Sequence, residues 1–355
     1  MKKIISLILI TAVVAFSLGG CAKRRAADVH VFYYTYSDTY ISTVRSALDK
    51  ALADAGITYQ DHDSNNSQTT QTEQIKTAIT KGAKLLVVNL VTTGSDDAAN
   101  GIVEMAKNAG IPLIFFNREV SDEVINSYNK CVFIGTDAAE AGYLQGDMIG
   151  DYLVKNFDET DLNRDGEISY VMFMGEKGNN EAIYRTEFSV KNANQKLTEA
   201  GLPSLVFYDR SNPDKYLLDR EGKWSAQAAN DYMNTILSSH STASNNMVEL
   251  IICNNDGMAE GAVSALNAAG YNTGAKDSVT IPVFGVDATS AAKELIKSGK
   301  MAGTIKQDGS SMASAISTVC KNALNGNELL QGTGGYSVDE DAAKLRISYS
   351  VFLGE

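Results

Sequence analysis

The sequence predicts an α/β protein made of two doubly wound units, each with a parallel sheet between layers of helices. Short apolar segments of strand length alternate with segments whose apolar residues recur at helical spacing. Glycine ends several helical segments just before a strand, as in Ala109-Gly110 and Ala269-Gly270. This alternation requires right-handed crossovers between parallel strands. The 355 residues are enough to bury two cores of ordinary domain size.

The predicted elements follow one another from residue 29 onward. The first unit starts with a strand over 29–34 and a helix whose apolar face is Ile41, Val44, Leu48 and Leu52. It continues with helices at 74–82 and 98–110 and strands at 84–90 and 111–116. After a less regular stretch over 118–130, the strands of the second unit are predicted at 132–135, 170–174, 205–208, 248–253 and 282–286. Its helices are predicted at 141–154, 185–200, 226–238, 259–269 and 291–298.

Composition and charge exclude several classes of function. The formal net charge of -12 would repel nucleic acid and anionic membrane surfaces. The three histidines form no recognisable motif, and no Cys-x-x-Cys pair is present, so histidine catalysis, a redox centre and a thiolate metal site have no support. Cys131 and Cys253 lie in or beside apolar strand segments. We therefore predict inert, buried thiols there.

The N-terminal residues have the pattern of an export signal. Lys2 and Lys3 precede an apolar run from Ile4 to Leu18, which is short for a membrane span. Leu18-Gly19-Gly20-Cys21 resembles the bacterial lipobox, in which the acylated cysteine becomes the mature N-terminus. The prediction is a signal peptide at 1–20, lipidation of Cys21, a tether at 21–28 and a location outside the cytoplasmic membrane. The alternative is a plain secretory signal that happens to contain a cysteine.

The stretch from Asp161 to Ser169 has the spacing of a calcium-binding loop. Oxygen-bearing side chains stand at loop positions 1, 3, 5 and 9, glycine stands at position 6, and Glu167 offers its carbonyl at position 7. These ligands would be Asp161, Asn163, Asp165, Glu167 and Ser169. Position 12 is Met172 instead of the glutamate of an EF-hand, so a further carboxylate must come from elsewhere in the chain. The alternative is a solvated turn.

Polar and aromatic residues stand where the predicted strands end. In doubly wound sheets, ligands bind beyond the carboxyl ends of the strands. The residues there are Asp38, Tyr40, Asn89, Asn179, Glu181, Arg185, Asn255, Asp287 and Gln307, with Trp224 at the start of a nearby helix. Amides, carboxylates, one arginine and aromatic faces suit a neutral polyhydroxylated ligand better than a phosphate. At any single position the alternative is an ordinary turn residue.

Several sequence strings match one family. They include Ser37-Asp38-Thr39-Tyr40, Phe115-Phe116-Asn117-Arg118-Glu119, Leu144-Gln145-Gly146-Asp147, the loop from Asp161 to Gly166, and Phe284-Gly285-Val286-Asp287. From about Val29 to its end, the chain resembles the galactose/glucose-binding proteins of bacterial ABC transporters, which are type I periplasmic binding proteins. The resemblance implies that Glu249 completes a structural Ca²⁺ site.

The resemblance also implies a ligand and residue roles. The residues implied to hydrogen-bond a pyranose are Asp38, Asn89, Arg185, Asn255 and Asp287. Trp224 would stack on the sugar, and Tyr40 replaces a stacking phenylalanine of the family. Asn179 stands in place of histidine, Glu181 in place of aspartate and Gln307 in place of asparagine. The expected ligand is D-galactose or D-glucose. A related pyranose such as xylose or a methyl galactoside is the alternative, because these changes alter the reach of polar groups.

The resemblance implies two lobes joined by a three-segment hinge, with crossings near Asn117, Gln307 and Gly335. The first lobe would comprise 29–117 and 308–334, and the second 118–307 and 335–355 with the loop at 161–169. A sugar in the cleft would stabilise a closed form, which an ABC permease and its ATPase subunits would receive. The expected protein is a monomer and not an enzyme.

Two other classes of function, a sensor and an enzyme, remain open. A sugar sensor read by a chemoreceptor would use the same fold and pocket. A glycosidase could use Asp38 and Glu181 as its carboxylates, although the ring of amides argues against it. A cytoplasmic sugar-responsive repressor shares the core but is not expected, because a DNA-binding helical segment would stand where this chain has the lipobox-like sequence.

Overall fold

The structure is a computed structural model that describes residues 27–354. The predicted signal peptide, Cys21 and most of the tether lie outside the described residues. Within 27–354, no helix is both long and apolar enough to span a membrane. The helices of this part of the chain are α1 (Thr39–Asp54), α2 (Gln68–Thr80), α3 (Asp97–Ala109), α4 (Asp122–Asn126), α5 (Ala138–Thr160), α6 (Asn180–Glu199), α7 (Ala226–Leu237), α8 (Asp256–Ala268), α9 (Ser290–Lys297) and α10 (Gly309–Asn325).

The strands of the described residues form two sheets. The first contains β1 (Val29–Tyr33), β2 (Tyr59–Asp63), β3 (Leu85–Val88), β4 (Leu113–Phe116), β5 (Cys131–Gly135), β12 (Ser337–Val338) and β13 (Lys344–Arg346), in the order β12-β13-β5-β4-β3-β1-β2. The second contains β6 (Ser169–Met174), β7 (Val206–Phe207), β8 (Leu217–Leu218), β9 (Leu250–Cys253), β10 (Val283–Asp287), β11 (Gly303–Lys306) and β14 (Ser350–Phe352). Its order is β14-β11-β10-β9-β6-β7, with β8 also paired to β6.

Both sheets are parallel except at one edge, where β12 pairs antiparallel with β13 and β14 pairs antiparallel with β11. Helices cover both faces of each sheet. In the first lobe, Val31 packs on the side that holds α1 and α10, whereas Phe32 packs on the opposite side with α2 and α3. Such near-continuous apolar strands are typical of parallel sheets buried on both faces. The predicted fold class is confirmed.

The structure corrects two of the three predicted crossings between the lobes. Strand β5 pairs in parallel with β4, with Phe116 opposite Ile134, so residues 118–135 belong to the first lobe. Strand β13 pairs with β5, so β12 and β13 also belong to the first lobe. The crossings predicted near Asn117 and Gly335 are therefore wrong. Apolar composition alone does not determine which sheet an apolar strand joins.

The observed crossings follow β5 at Thr136, follow β11 at Gln307, and lie between β13 and β14 at residues 347–349. After the second crossing, α10 packs against α1 in the first lobe. Cys131, Cys253 and Cys320 are buried free thiols in these cores. Burial raises the pKa of the Cys131 thiol to about 12, which makes it unreactive.

Candidate functional site

A cavity lies between the two lobes at the carboxyl ends of the strands. It is lined by Tyr34, Asp38, Tyr40, Ile41, Asn117, Arg118, Asn179, Glu181, Arg185, Trp224, Asn255, Asp287 and Gln307. Nine of the ten residues that the sequence predicted for the ligand site are in this set. The tenth, Asn89, is not.

Three of the lining residues are also helix N-caps. The Asp38 side chain accepts from the Ile41 amide at 2.7 Å, and Asn179 and Asn255 make equivalent bonds at the starts of α6 and α8. An N-cap bond of this kind contributes about 1 kcal/mol to stability and fixes the side-chain orientation. The turn-residue and ligand-site interpretations are therefore compatible. Local capping holds these side chains at the cavity wall.

The remaining atoms of these caps are bonded to neighbouring groups. The hydroxyl of Tyr34 donates to Asp38 Oδ2 at 2.6 Å. Asn179 Nδ2 donates to Thr93 Oγ1 of the first lobe at 3.2 Å, which is a contact across the cleft. Asn255 Nδ2 donates to the carbonyl of Trp224 at 3.3 Å. These bonds give the cavity wall a defined arrangement of donors and acceptors.

The centre of the cavity is charged and buried. Arg185, Glu181 and Asp287 are each less than a tenth exposed. Burial opposes the charged form of Arg185, but the surrounding Tyr349, Asp287 and Glu181 raise its pKa overall, so it stays a cation. Burial raises the pKa values of Asp287 and Glu181, and the nearby guanidinium partly offsets both shifts.

Three polar atoms of residues that line the cavity have no hydrogen-bond partner. They are Tyr40 Oη, Glu181 Oε2 and Arg185 Nε, and all three are buried. A buried polar group without a partner costs about 1–3 kcal/mol. One of these atoms is a donor, one is an acceptor, and the hydroxyl can be either. The arrangement fits a ligand that both donates and accepts hydrogen bonds.

Backbone strain is concentrated around the same cavity. Asn117, Trp224 and Asp287 have φ angles of 63°, 55° and 124°, which non-glycine residues rarely adopt. Such conformations cost on the order of 1–3 kcal/mol each and tend to occur at functional sites. The strained turn at the start of α7 brings the Trp224 ring against Gly175, where an added Cβ would lie 2.2 Å from ring atoms. Glycine is therefore required behind this aromatic side chain.

Asn89 lies one layer behind the cavity wall. Its Oδ1 accepts from the Tyr34 amide at 3.3 Å, and its Nδ2 donates to the Phe116 carbonyl at 3.1 Å and to Asn117 Oδ1 at 3.2 Å. It is completely buried. The side chain thus connects the ends of β1, β3 and β4 and supports Asn117. The rule that strand-end residues line the site did not account for a side chain that turns back into the sheet.

Arg118 also lines the cavity, although it is not among the site residues predicted from the sequence. Its guanidinium lies 4.0 Å from the centre of the Tyr34 ring, donates to the carbonyls of Leu90 and Val91, and forms an ion pair with Glu176 of the second lobe. Glu176 also accepts from Trp224 Nε1 at 3.2 Å. Asn117 and Arg118 directly follow β4, so the strand-end rule could have found both.

The predicted calcium loop is tightly hydrogen-bonded, and Glu249 lies against it. Glu249 Oε1 accepts from the amides of Leu162 and Asn163 at 2.9 and 3.3 Å, and its Oε2 accepts from Ser169 N and Oγ at 2.9 Å each. Gly166 has the predicted turn conformation, with φ +81°. Among residues 27–354, no group of three or more His, Cys, Asp or Glu side chains has the arrangement of a metal site.

The donor set of the loop nevertheless suits a hard cation, because every available ligand atom is an oxygen. Asp161 accepts from the amides of Asp165 and Gly166, which holds its carboxylate over the loop. The pKa of Glu249 is raised by burial and by the nearby Asp161, although bonds from Ser169 and Asn163 lower it in part. In contrast, the side chain of Glu167 pairs with Arg210.

Comparison with known proteins identifies the family. Residues 29–328 match a family model described as a periplasmic binding protein domain. The chain belongs to the periplasmic binding protein family. This family consists of solute-binding proteins and not of enzymes. The prediction that the chain is a type I periplasmic binding protein for a sugar is confirmed.

Curated relatives extend over nearly the whole of this periplasmic binding protein. The D-galactose/methyl-galactoside binding periplasmic protein MglB of Haemophilus influenzae is 35% identical over 336 residues, which cover 94% of this chain and 92% of the relative. The ribose import binding protein RbsB of Salmonella typhimurium is 24% identical over 308 residues, 86% of this chain and 87% of its own length.

Solved structures share the fold at lower identity. A solute-binding protein from Bacillus halodurans with bound myo-inositol has a TM-score of 0.68 at 24% identity, covering 94% of this chain and 96% of its own. One from Clostridium phytofermentans with bound β-D-glucose has a TM-score of 0.69 at 23% identity, covering 92% and 94%. At these identities the likeness establishes the architecture alone.

Proposed function

We propose that this protein captures a monosaccharide, D-galactose or D-glucose, in the cavity between its lobes and delivers it to an ABC permease. The observation that carries the proposal is a set of three unpartnered buried atoms on residues that line the cavity: Tyr40 Oη, Glu181 Oε2 and Arg185 Nε. A sugar hydroxyl donates and accepts, so one ring with several hydroxyls can satisfy all three. The 35% identical relative named for D-galactose supports the choice of sugar.

The lining residues have complementary roles in this proposal. Asp38, Glu181 and Asp287 would accept from sugar hydroxyls, whereas Arg185 and the amides of Asn179, Asn255 and Gln307 would donate to them. Trp224 and Tyr40 would cover the C–H surfaces of the ring. Asn89 would act indirectly by holding Asn117. Three carboxylates on the wall argue against a phosphorylated sugar, because they would repel its charge.

The cavity contacts also explain how binding would close the lobes. In the present conformation, the amide of Glu119 in the first lobe donates to Glu181 Oε1 of the second at 3.2 Å. Glu181 thus has one oxygen in a contact across the cleft and one oxygen left for the ligand. A sugar that contacts both lobes favours this closed form in proportion to its higher affinity for it. Delivery requires no bond to be broken.

Calorimetric titration of the purified protein tests the sugar. D-galactose or D-glucose is expected to bind more tightly than D-xylose and D-ribose, because a hydrogen-bonding pocket rejects analogues that leave its polar groups unpaired. An Asp287→Asn variant serves as the site control and is expected to lose affinity for every sugar. Absence of heat with both hexoses would contradict the sugar assignment. Tight binding of D-xylose alone would show that the ligand is a pentose and not a hexose.

We propose in addition that the loop holds a structural Ca²⁺. The ligands would be the side chains of Asp161, Asn163, Asp165, Ser169 and Glu249, with the carbonyl of Glu167. This set contains three carboxylates and otherwise neutral oxygens, as Ca²⁺ prefers. The metal would contribute stability to the second lobe and no chemistry to the cleft.

We further propose that the protein is anchored to the outside of the cytoplasmic membrane through a lipid on Cys21. The support is the Leu18-Gly19-Gly20-Cys21 sequence after an apolar run of signal-peptide length. Metabolic labelling with palmitate, compared between the wild-type protein and Cys21→Ser, tests the anchor. Equal labelling of both proteins, or no labelling of either, would refute it.

A further inference from the structure

Four buried side chains form a closed ring of hydrogen bonds beside the cavity. Arg185 Nη2 donates to Tyr349 Oη at 2.9 Å and to Gln307 Oε1 at 3.4 Å. Gln307 Nε2 donates to Thr136 Oγ1 at 3.3 Å, and the hydroxyls of Thr136 and Tyr349 are 2.8 Å apart. All four residues are less than a tenth exposed. The hydrogen bonds of the ring are therefore shielded from competing water, and in this environment they are stronger than in water.

Each of the three hinge segments contributes one member to this ring. Thr136 directly follows β5 at the first crossing, Gln307 directly follows β11 at the second, and Tyr349 lies between β13 and β14 at the third. The fourth member, Arg185, comes from α6 in the body of the second lobe. When the lobes rotate, the hinge segments are the parts of the backbone that change direction. The ring thus joins the segments that must move together.

Arg185 also faces the cavity. Nη2 joins the ring, Nη1 donates to the Asn254 carbonyl at 2.9 Å, and Nε is buried without a partner. Guanidinium donors lie in one rigid plane, so a bond at one edge fixes the directions of the others. A ligand hydroxyl that accepts from Nε is therefore bound more favourably when the ring has formed, and the bound ligand in turn stabilises the ring.

We infer that Thr136 and Tyr349 are positioning residues. Together with Gln307, they link Arg185 to the three hinge segments. A ligand contact with Arg185 in the cavity therefore favours the closed arrangement of the lobes. This inference rests on the proposed function for its ligand, but not for its geometry. Neither hydroxyl is on the cavity lining. Their effect on binding must therefore pass through Arg185, Gln307 and the hinge.

Two variants remove ring bonds with little change of shape. Tyr349→Phe removes the hydroxyl that links Arg185 to Thr136, and Thr136→Val removes the other hydroxyl. Each hydroxyl takes part in two ring bonds. The loss of even one buried hydrogen bond predicts about 3- to 10-fold weaker binding of D-galactose or D-glucose, so each variant should weaken binding by at least this factor. The loss should appear as faster dissociation, because the closed form is the one that the ring stabilises. Trp224 is the only tryptophan and lines the cavity, so stopped-flow tryptophan fluorescence can follow dissociation directly.

A matched control separates this role from general stability. Tyr128 is a buried tyrosine of the first lobe whose hydroxyl donates to the Ile111 carbonyl at 3.1 Å. Tyr128→Phe should lower the Tm about as much as Tyr349→Phe while leaving the dissociation rate unchanged. Thr136→Ser keeps the ring hydroxyl and should dissociate from the sugar as slowly as the wild-type protein, unlike Thr136→Val. If Tyr349→Phe does not fold, the Thr136 pair provides the same comparison.

Small-angle X-ray scattering of ligand-free protein tests the ring without any sugar. The radius of gyration of ligand-free Tyr349→Phe should exceed that of the wild-type protein, because fewer molecules hold the closed arrangement. Equal radii for wild type, Tyr349→Phe and Thr136→Val, together with unchanged dissociation rates, would overturn the inference. Failure of the wild-type protein to bind any hexose would refute the proposed ligand instead, and the ligand-free scattering would still decide the role of the ring.

Discussion

Arg118 of the first lobe and Glu176 of the second form an ion pair across the cleft. The side chain of Arg118 is 5% exposed and that of Glu176 is 19% exposed, so water screens the pair only in part. Glu176 also accepts from the indole of Trp224. One carboxylate therefore joins the two lobes and orients the aromatic side chain of the proposed sugar site.

Glu176→Gln should weaken sugar binding by about 5- to 30-fold. The amide keeps an acceptor for the indole but loses the charge that holds Arg118. A hydrogen bond to a charged group contributes about 1.5–3 kcal/mol, and solvent screening at the partly exposed Glu176 lowers this to about 1–2 kcal/mol. Calorimetric titration with D-galactose or D-glucose checks the change. Glu221→Gln is the control, since Glu221 is an exposed carboxylate paired with Lys223, and its variant should bind like the wild type. Equal affinities for Glu176→Gln and wild type would show that the pair does not contribute to closure.

Gly175→Ala should reduce sugar affinity by about 10-fold or more. The added methyl would overlap the indole of Trp224, and overpacking of this kind costs about 1–3 kcal/mol or displaces the ring. Quenching or shift of the Trp224 fluorescence in the ligand-free variant would report the displacement. The matched control is Gly101→Ala in α3, where a Cβ meets no atom within 4 Å. That variant should gain about 0.5–1 kcal/mol of stability and keep its affinity.

Glu249→Ala should weaken Ca²⁺ binding by about 10-fold or more and lower the Tm, because the loop loses the carboxylate that organises it. Sugar affinity in excess calcium should change far less. Titration with Ca²⁺, thermal unfolding with and without a chelator, and sugar calorimetry measure the three quantities. Glu167→Ala is the control, since that residue would supply only its backbone carbonyl. Equal losses of calcium and sugar affinity in Glu249→Ala would refute a purely structural role for the loop.

The paired histidines at the edge of the first sheet predict that the stability of the folded protein decreases as the pH is lowered. His30 Nδ1 and His62 Nε2 are 2.9 Å apart, and Phe32 stacks on His62. Burial lowers the pKa values of both rings, and His30 lowers that of His62 further, to about 4. The unfolded chain binds these protons near pH 6.5, before the folded protein does. The contribution is therefore present above pH 6.5 and is lost as the pH falls toward 4.

His62→Phe should remove much of this pH dependence while keeping the stacking on Phe32. Urea midpoints at pH 7.5 and pH 5 measure it, and the difference between them should be smaller in the variant than in wild type. His240→Gln, a change in the second lobe, should preserve the wild-type difference. A His62→Phe variant with the full wild-type difference would show that other groups cause the acid sensitivity.

Much of the site followed from patterns within a few residues of one another. Asp38, Asn179 and Asn255 were predicted because polar residues follow apolar strands, and in the structure each caps the next helix. Asn89 obeys the same sequence rule but turns back toward the backbone of β4. The difference depends on the neighbouring strands, which the local sequence does not specify.

Local sequence determined the order of strands and helices, the turn at Gly166 and the positions of the helix caps. Periodicity, capping and turn conformation depend on contacts between residues at most a few positions apart. Only the tertiary structure decided which sheet β5 and β13 join, that Arg118 meets Glu176, and that Thr136 meets Tyr349. Those partners are separated by 58 and 213 residues, and their contact depends on how two folded lobes meet. No periodic pattern in the sequence encodes such a distance.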